Sequence, residues 1–274
     1  MDNRPIGFFD SGLGGLTCVS PLMKRLPEEK IIYFGDTART PYGSKAAGTI
    51  RSFAGEITDF LVSKDVKMIV IACNTVSATC VDDLRKRFPD IPVVGIIEPA
   101  ARYVAETCSA ENNVGIIGTK VTIRSGAYEK TIKEFNGDIN IFQTPCPAYV
   151  PLIEEGIIAS DIMDLTIRHY MDDFIRENDI DKVVLGCTHY PLIRKNIERI
   201  YPEVEIINPS DIQADTIVRI LKERDALAEG SNFETVFYAS DLSENFLNMI
   251  DRIFEDEEED AKVKFKNFDL EKGE

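Results

Sequence analysis

Runs of four or five aliphatic residues, each closed by glycine, proline or a small polar residue, alternate along the chain with stretches whose apolar positions recur every three or four residues. Short unbroken apolar runs read as parallel strands buried on both faces, and the wider spacing reads as amphipathic helices. Strands are predicted at Pro5 to Asp10, Ile31 to Phe34, Val93 to Ile97, Val114 to Ile117, near Ile139 to Phe142, Val204 to Ile207 and Thr235 to Ala239. Two more run into a cysteine, within IVIACNT (Ile69 to Thr75) and VVLGCTHYP (Val183 to Pro191). Leu16, Val19, Met23 and Leu26 mark a first helix, in which Pro21 predicts a kink or a late start. Ala46, Ile50, Phe53, Ile57 and Phe60 mark the clearest helix. Others follow Cys73 to about Phe88, run from about Ser125 to Phe135, fill Asp161 to Asn178 and follow Cys187. Ser210 to Gln213 reads as a capping box opening another. Near the end, Ser243 to Phe254 reads as a helix, Glu255 to Asp260 as a solvated acidic turn, and Val263, Phe265 and Phe268 as one short edge strand.

This alternation predicts an α/β fold with largely parallel sheets. GFFDS and GIIGT begin 108 residues apart, at Gly7 and Gly115, while Cys73 and Cys187 lie 114 apart. One offset nearly serves both pairs, which implies an internal duplication into two pseudo-symmetric lobes. Strands and helices continue beyond the second repeat, so the C-terminal residues are expected to return and complete the first lobe.

Composition narrows the partners. A chain of 274 residues is long enough for one large or two modest domains. A net charge of −16 disfavours a groove that tracks phosphates, so nucleic acid is an unexpected ligand. No apolar run approaches the roughly 18 residues of a membrane helix. Asp10 interrupts the only early apolar run, so no signal peptide is expected. Six cysteines without a CxxC pair then suggest free thiols in a reducing cytoplasm.

The chemistry centres on two of those cysteines. Cys73 and Cys187 each fall at the carboxyl end of a strand, just before a helix is predicted, with Thr75 and Thr188 close behind. Open α/β sheets bind ligands there, and the positive end of a helix favours a thiolate. A buried cysteine is ordinarily a small hydrophobe. Cys18, Cys80, Cys108 and Cys146 are read that way, and His169 as a packed structural histidine among Leu165, Met171 and Phe174. Two thiols presented from equivalent places suggest one job: removing a proton from one side of a carbon and returning one from the other. The glycine turn Ser11 to Leu16 superficially suggests a dinucleotide site. Thr17 stands where the third glycine is needed, and Asp10 would face the pyrophosphate, so this reading is disfavoured.

Taken in order, DSGLGGLT (Asp10 to Thr17), Gly35-Asp36 with Pro41 to Gly43, IACNT (Ile71 to Thr75), GIIEPA (Gly95 to Ala100), Gly118 to Ser125, CPAYVPLIE (Cys146 to Glu154) and GCTHYPL (Gly186 to Leu192) resemble the glutamate racemases. These are cofactor-independent enzymes that supply D-glutamate for peptidoglycan. The departures are minor: Pro21 falls where such proteins usually continue the helix, and Ala100 where glycine is common. The resemblance implies an active site between two lobes, the first taking residues 1–98 and 208–274, the second 99–207. It assigns Cys73 to the α-proton of D-glutamate and Cys187 to that of L-glutamate, with Asp10 and His189 assisting the thiols and Glu154 a further helper. It places Asp10, Ser11, Tyr42, Gly43, Asn74, Thr75, Thr119, Thr122, Thr188 and His189 around the substrate. It implies no cofactor and no metal, glutamate as the small-molecule partner, and leaves a homodimer open. A racemase for aspartate, a dinucleotide oxidoreductase and a noncatalytic amino-acid-binding protein are the alternatives.

Overall fold

The computed structural model describes residues 1–230, 235–241, 247, 250, 253–254 and 263–267. Most of the helix read at Ser243 to Phe254, the acidic turn Glu255 to Asp260, and Phe268 lie outside the described residues. Ten strands form two parallel sheets among them.

The first sheet is built on β1 (Ile6–Asp10), β2 (Ile31–Gly35), β3 (Met68–Ile71) and β4 (Val93–Gly95), in the order β2-β1-β3-β4. The second uses β5 (Asn113–Gly118), β6 (Asn140–Pro145), β7 (Lys182–Gly186) and β8 (Glu205–Ile207), in the equivalent order β6-β5-β7-β8. The chain then returns to the first sheet, where β9 (Thr235–Ala239) pairs with β2 and β10 (Val263–Asn267) forms the edge. Each repeat is thus a βα unit wound the same way, and the last two strands extend only the first.

The short apolar runs are buried on both faces, as their continuity predicts. Ile6, Phe8, Ile31, Tyr33, Met68 and Val70 face one apolar core. Their alternates Phe9, Ile32, Phe34, Ile69 and Ile71 face another, packed under α2 (Ala47–Ser63). The period of two along a strand makes that division.

Several boundaries differ from the expectation. Helix α1 (Leu16–Arg25) runs through Pro21 without a late start. The strand read to Ile97 stops at Gly95, and α4 (Ile97–Thr107) takes Glu98 and Pro99 into its first turn, where a missing N–H costs nothing. The helix expected from Ser125 is two, α5 (Lys120–Ser125) and α6 (Ala127–Phe135), joined at Gly126 with φ 63°. Helix α7 (Tyr149–Glu154) follows the proline loop. In α8 (Asp161–Glu177) the buried stripe is Met163, Ile167 and Met171. His169 is therefore exposed, its ring edge-on to Tyr170, rather than packed in the core. Helix α10 (Pro209–Glu223) is capped by Asn208, whose side chain accepts from the Ser210 N–H at 3.2 Å. The capping box read at Ser210 to Gln213 is displaced because Pro209 starts the helix two residues earlier. Gln213 instead donates to the Ile71 carbonyl at 3.0 Å, bracing the end of β3.

Candidate active site

Strand β3 delivers Cys73 as the N-cap of α3 (Asn74–Arg87), a helix bent at Cys80. Strand β7 delivers Cys187, but a 3-10 turn, Tyr190–Ile193, follows before α9 (Arg194–Ile200). Both cysteines line one cavity of about 390 Å³ between the sheets, a size suited to a small molecule. Ser11, Tyr42, Gly43, Asn74, Thr75, Thr119, Glu154, Thr188 and His189 line it as well. Asp10 and Thr122 stand fully buried behind the wall rather than in it. A larger groove of about 950 Å³ lies between α4 and α10, lined by side chains such as Arg102, Arg219, Glu98 and Glu223, and it holds neither thiol.

Around Cys73 the thiol donates to Ser11 Oγ at 3.5 Å, and the backbone N–H groups of Val76 and Ser11 point at the sulfur. Burial, with the Asp10 charge adding to it, nevertheless raises this thiol well above its ordinary value. Asp10 is itself raised by burial, an effect opposed by His189 and by the N–H groups of Gly15 and Gly12. Those two N–H groups donate to Asp10 Oδ2 at 3.1 and 3.2 Å. A carboxylate thus already occupies the donors that a pyrophosphate would need, which removes the dinucleotide reading of the turn. The glycines serve close approach instead: a Cβ at Gly14 would sit 2.5 Å from His189 Nδ1 and Thr188 Oγ1.

Around Cys187 the neighbours differ. His189 Nδ1 lies 3.8 Å from the sulfur, and His189 Nε2 lies 3.0 Å from Glu154 Oε1. Burial works against a charge on His189, yet Cys187 and Glu154 outweigh it and lift the imidazole to about 10. An imidazolium beside Cys187 supplies the positive charge that a thiolate there requires. Among the described residues, no cluster of three or more His, Cys, Asp or Glu side chains is arranged to hold a metal ion.

The two halves meet through small polar groups. Thr75 Oγ1 lies 3.1 Å from Thr119 Oγ1, which lies 3.0 Å from Thr122 Oγ1. Asn74 is 2 % exposed; its Oδ1 accepts from the Tyr128 hydroxyl, while its buried Nδ2 has no partner. Tyr42 is held by a short hydrogen bond from its hydroxyl to Asp36. The wall also includes Ser44, Lys120, Cys146 and Val150, none of which the sequence reading selected. Among the described residues that line it, Lys120 is the only lysine or arginine. Cys146, assigned to packing, had one signal available: its proline-bounded loop lies at the carboxyl end of β6, the same sheet end as Cys187.

This geometry has relatives. A family model described as Asp/Glu/Hydantoin racemase matches residues 17–217. A glutamate racemase of Geobacter metallireducens is 42 % identical over 256 residues, covering 92 % of this chain and 93 % of that one. The crystal structure of glutamate racemase from Francisella tularensis in complex with D-glutamate superposes with a TM-score of 0.91 at 38 % identity, covering 99 % of this chain and 100 % of that one. The glutamate racemase isoform RacE1 from Bacillus anthracis gives 0.91 at 31 % identity, over 98 % and 99 %. With its duplicated sheets and two cysteines lining one cavity, the chain belongs to the glutamate racemase family.

Proposed function

We propose that the protein interconverts L- and D-glutamate without a cofactor, by two-base proton transfer between Cys73 and Cys187, and so supplies D-glutamate for peptidoglycan. The observation that carries this reading is one small cavity lined by two thiols from equivalent strand ends, with an unpartnered amide donor, Asn74 Nδ2, beside them. Residues 1–98 and 208–274 form the lobe carrying Cys73, residues 99–207 the lobe carrying Cys187, and the amino acid binds between them. The relatives named for glutamate, and one solved with D-glutamate, support the choice of substrate.

In this reading one cysteine acts as thiolate base on one face of the α-carbon and the other as thiol acid on the opposite face. Cys187 takes the proton from L-glutamate and Cys73 from D-glutamate. The carbanion that develops needs donors fixed in advance around the carboxylate. Ser11, Asn74, Thr75, Thr119 and Thr188, with backbone N–H groups at Tyr42 and Gly43 and at the start of α3, are the groups placed for that. Lys120 adds positive charge to the wall. His189, held by Glu154, assists Cys187; Asp10 orients Cys73 from behind; Thr122 supports Thr119. No helix among the described residues is long and apolar enough to cross a membrane, and all six cysteines are free, which supports a cytoplasmic setting. Sedimentation separates a monomer from a homodimer.

Racemisation in heavy water tests it. D-Glutamate formed from L-glutamate carries deuterium from its first appearance, while the remaining L-glutamate carries little early on. Activity lost on dialysis against chelator, or tied to a bound chromophore, would sink the proposal; aspartate turned over as fast as glutamate would move it to a different substrate.

A further inference from the structure

Tyr128 lies on α6, well separated in sequence from both cysteines, and is fully buried. Its hydroxyl donates to Asn74 Oδ1 at 2.6 Å, from a helix of the second repeat to the first turn of α3 in the first. Its ring lies over Gly186, where a Cβ would come within 3.4 Å of Tyr128 Cε2. Asn74 follows Cys73 and Gly186 precedes Cys187. One side chain therefore binds the neighbour of one thiol and lies beside the neighbour of the other.

An asparagine amide has a donor end and an acceptor end of nearly the same shape, and only its partners decide which way it points. A ligand carrying carboxylates is bound by the donor end and repelled by the acceptor end. The Tyr128 hydroxyl occupies Oδ1, which leaves Nδ2 as the end free for a ligand, and that atom is buried and unpartnered in the protein. Burial raises the Tyr128 phenol well above its ordinary value, so the hydroxyl keeps its proton and stays a donor at neutral pH. Asn74 lines the cavity that holds both cysteines.

We propose that Tyr128 is a positioning residue for the reaction: it fixes the Asn74 amide with its donor end toward a carboxylate of the bound amino acid. This rests on the racemase reading. The role is indirect, because Tyr128 is absent from the cavity wall and acts only through Asn74.

Steady-state racemisation and thermal melting of the full chain test it with four variants: Tyr128→Phe, Asn74→Ala, the double variant, and Asn74→Asp. Tyr128→Phe is expected to raise KM for glutamate about tenfold while kcat changes less, as loss of one buried hydrogen bond to a binding group predicts. In the Asn74→Ala background the same substitution is expected to change KM by less than about twofold, because its target is gone. Asn74→Asp keeps an acceptor for the phenol but turns an acceptor toward the substrate, so it is expected to be at least as impaired as Asn74→Ala. Wild-type KM in Tyr128→Phe, or an undiminished effect in the Asn74→Ala background, would overturn the positioning role. So would Asn74→Asp binding glutamate as the wild type does, and that comparison decides alone if Tyr128→Phe fails to fold. A wild-type protein that does not racemise glutamate overturns the reading beneath it instead.

Discussion

Cys73 leads into a helix of 14 residues and has the N–H groups of Val76 and Ser11 at its sulfur, yet a buried carboxylate, Asp10, stands behind it. Cys187 leads only into a four-residue 3-10 turn, but has His189 at 3.8 Å, backed by Glu154. The same strand order has thus been furnished with opposite electrostatics. At Cys73 helix and backbone donors favour a thiolate while burial and Asp10 oppose it; at Cys187 an imidazolium favours it directly. The comparison teaches that duplication fixes where the two groups sit, not how each is charged. In a two-base racemisation the sulfurs exchange the roles of base and acid with the direction of turnover, so the surroundings of each must tolerate both forms. The positive charge thus stands beside Cys187 and the negative one beside Cys73.

The strongest way to break this comparison is to remove each sulfur in turn. Cys73→Ser and Cys187→Ser are each expected to lower racemisation by about 10³-fold or more, because a hydroxyl is a far poorer base near neutral pH. What differs is the residue of chemistry left behind. Cys73→Ser retains the base for L-glutamate and should still exchange that enantiomer's α-proton with heavy water; Cys187→Ser should exchange D-glutamate. The check is NMR of the α-proton under conditions where no inversion is detected. Undiminished racemisation in either variant would end the two-base account.

A smaller effect sharpens the claim about charge. With His189 protonated beside it, Cys187 is expected to react with iodoacetamide at pH 7 about tenfold faster than Cys73, read by mass spectrometry of the labelled peptides. Their exposures, 6 % and 4 %, are too alike to produce such a ratio. His189→Asn removes the positive charge and should bring the two rates together. Racemisation in that variant should fall by about 10²-fold. Because the enantiomers have equal free energy, kcat/KM must stay equal in the two directions, so any asymmetry shows only in kcat and KM taken separately. Equal labelling of both cysteines in the wild type would show that the His189 charge does not activate Cys187.

The parts of this site that the chain announces are those built from local runs. Cys73 and Cys187 are legible because an apolar strand stops at each, and Asp10 because it ends β1 just before a glycine turn. What stays hidden depends on partners distant in sequence. Nothing local links Tyr128 to Asn74, 54 residues away, or Gln213 to Ile71, 142 away. The glycine turn was readable as a tight turn, but its purpose depends on Thr188 and His189 arriving from the other repeat. His169 was misjudged because its apolar neighbours suggested a buried stripe, when Leu165 is 68 % exposed and the helix buries Met163, Ile167 and Met171. Capping was misplaced for a related reason: Ser210 and Gln213 have the right spacing, and only Asn208 with Pro209 shows where the helix begins.

The smallest expected effect concerns stability, and it tests whether Asp10 opposes its own surroundings. Burial raises the Asp10 carboxyl above its ordinary value, so its folded-state pKa lies above the unfolded one. A group shifted upward stabilises the fold when protonated, and that contribution is lost as pH rises through the folded pKa. An ionised Asp10 is therefore a burden on the fold, only partly relieved by the Gly12 and Gly15 N–H groups. Asp10→Asn keeps an oxygen for those two donors and turns its amide toward Thr188 Oγ1, which lies 3.5 Å from the present Oδ1. The variant should melt a few degrees higher than the wild type at pH 7, as relief of roughly 1 kcal/mol implies. The sign of the pH dependence is fixed: the gain should shrink as pH is lowered and the wild-type carboxyl takes up its own proton. Activity should move the other way, because the group that orients Cys73 has lost its charge. A variant less stable at pH 7, or one whose gain grows on acidification, would show that the Asp10 charge is well solvated by its turn. The contrast between the two thiols would then rest on His189 alone.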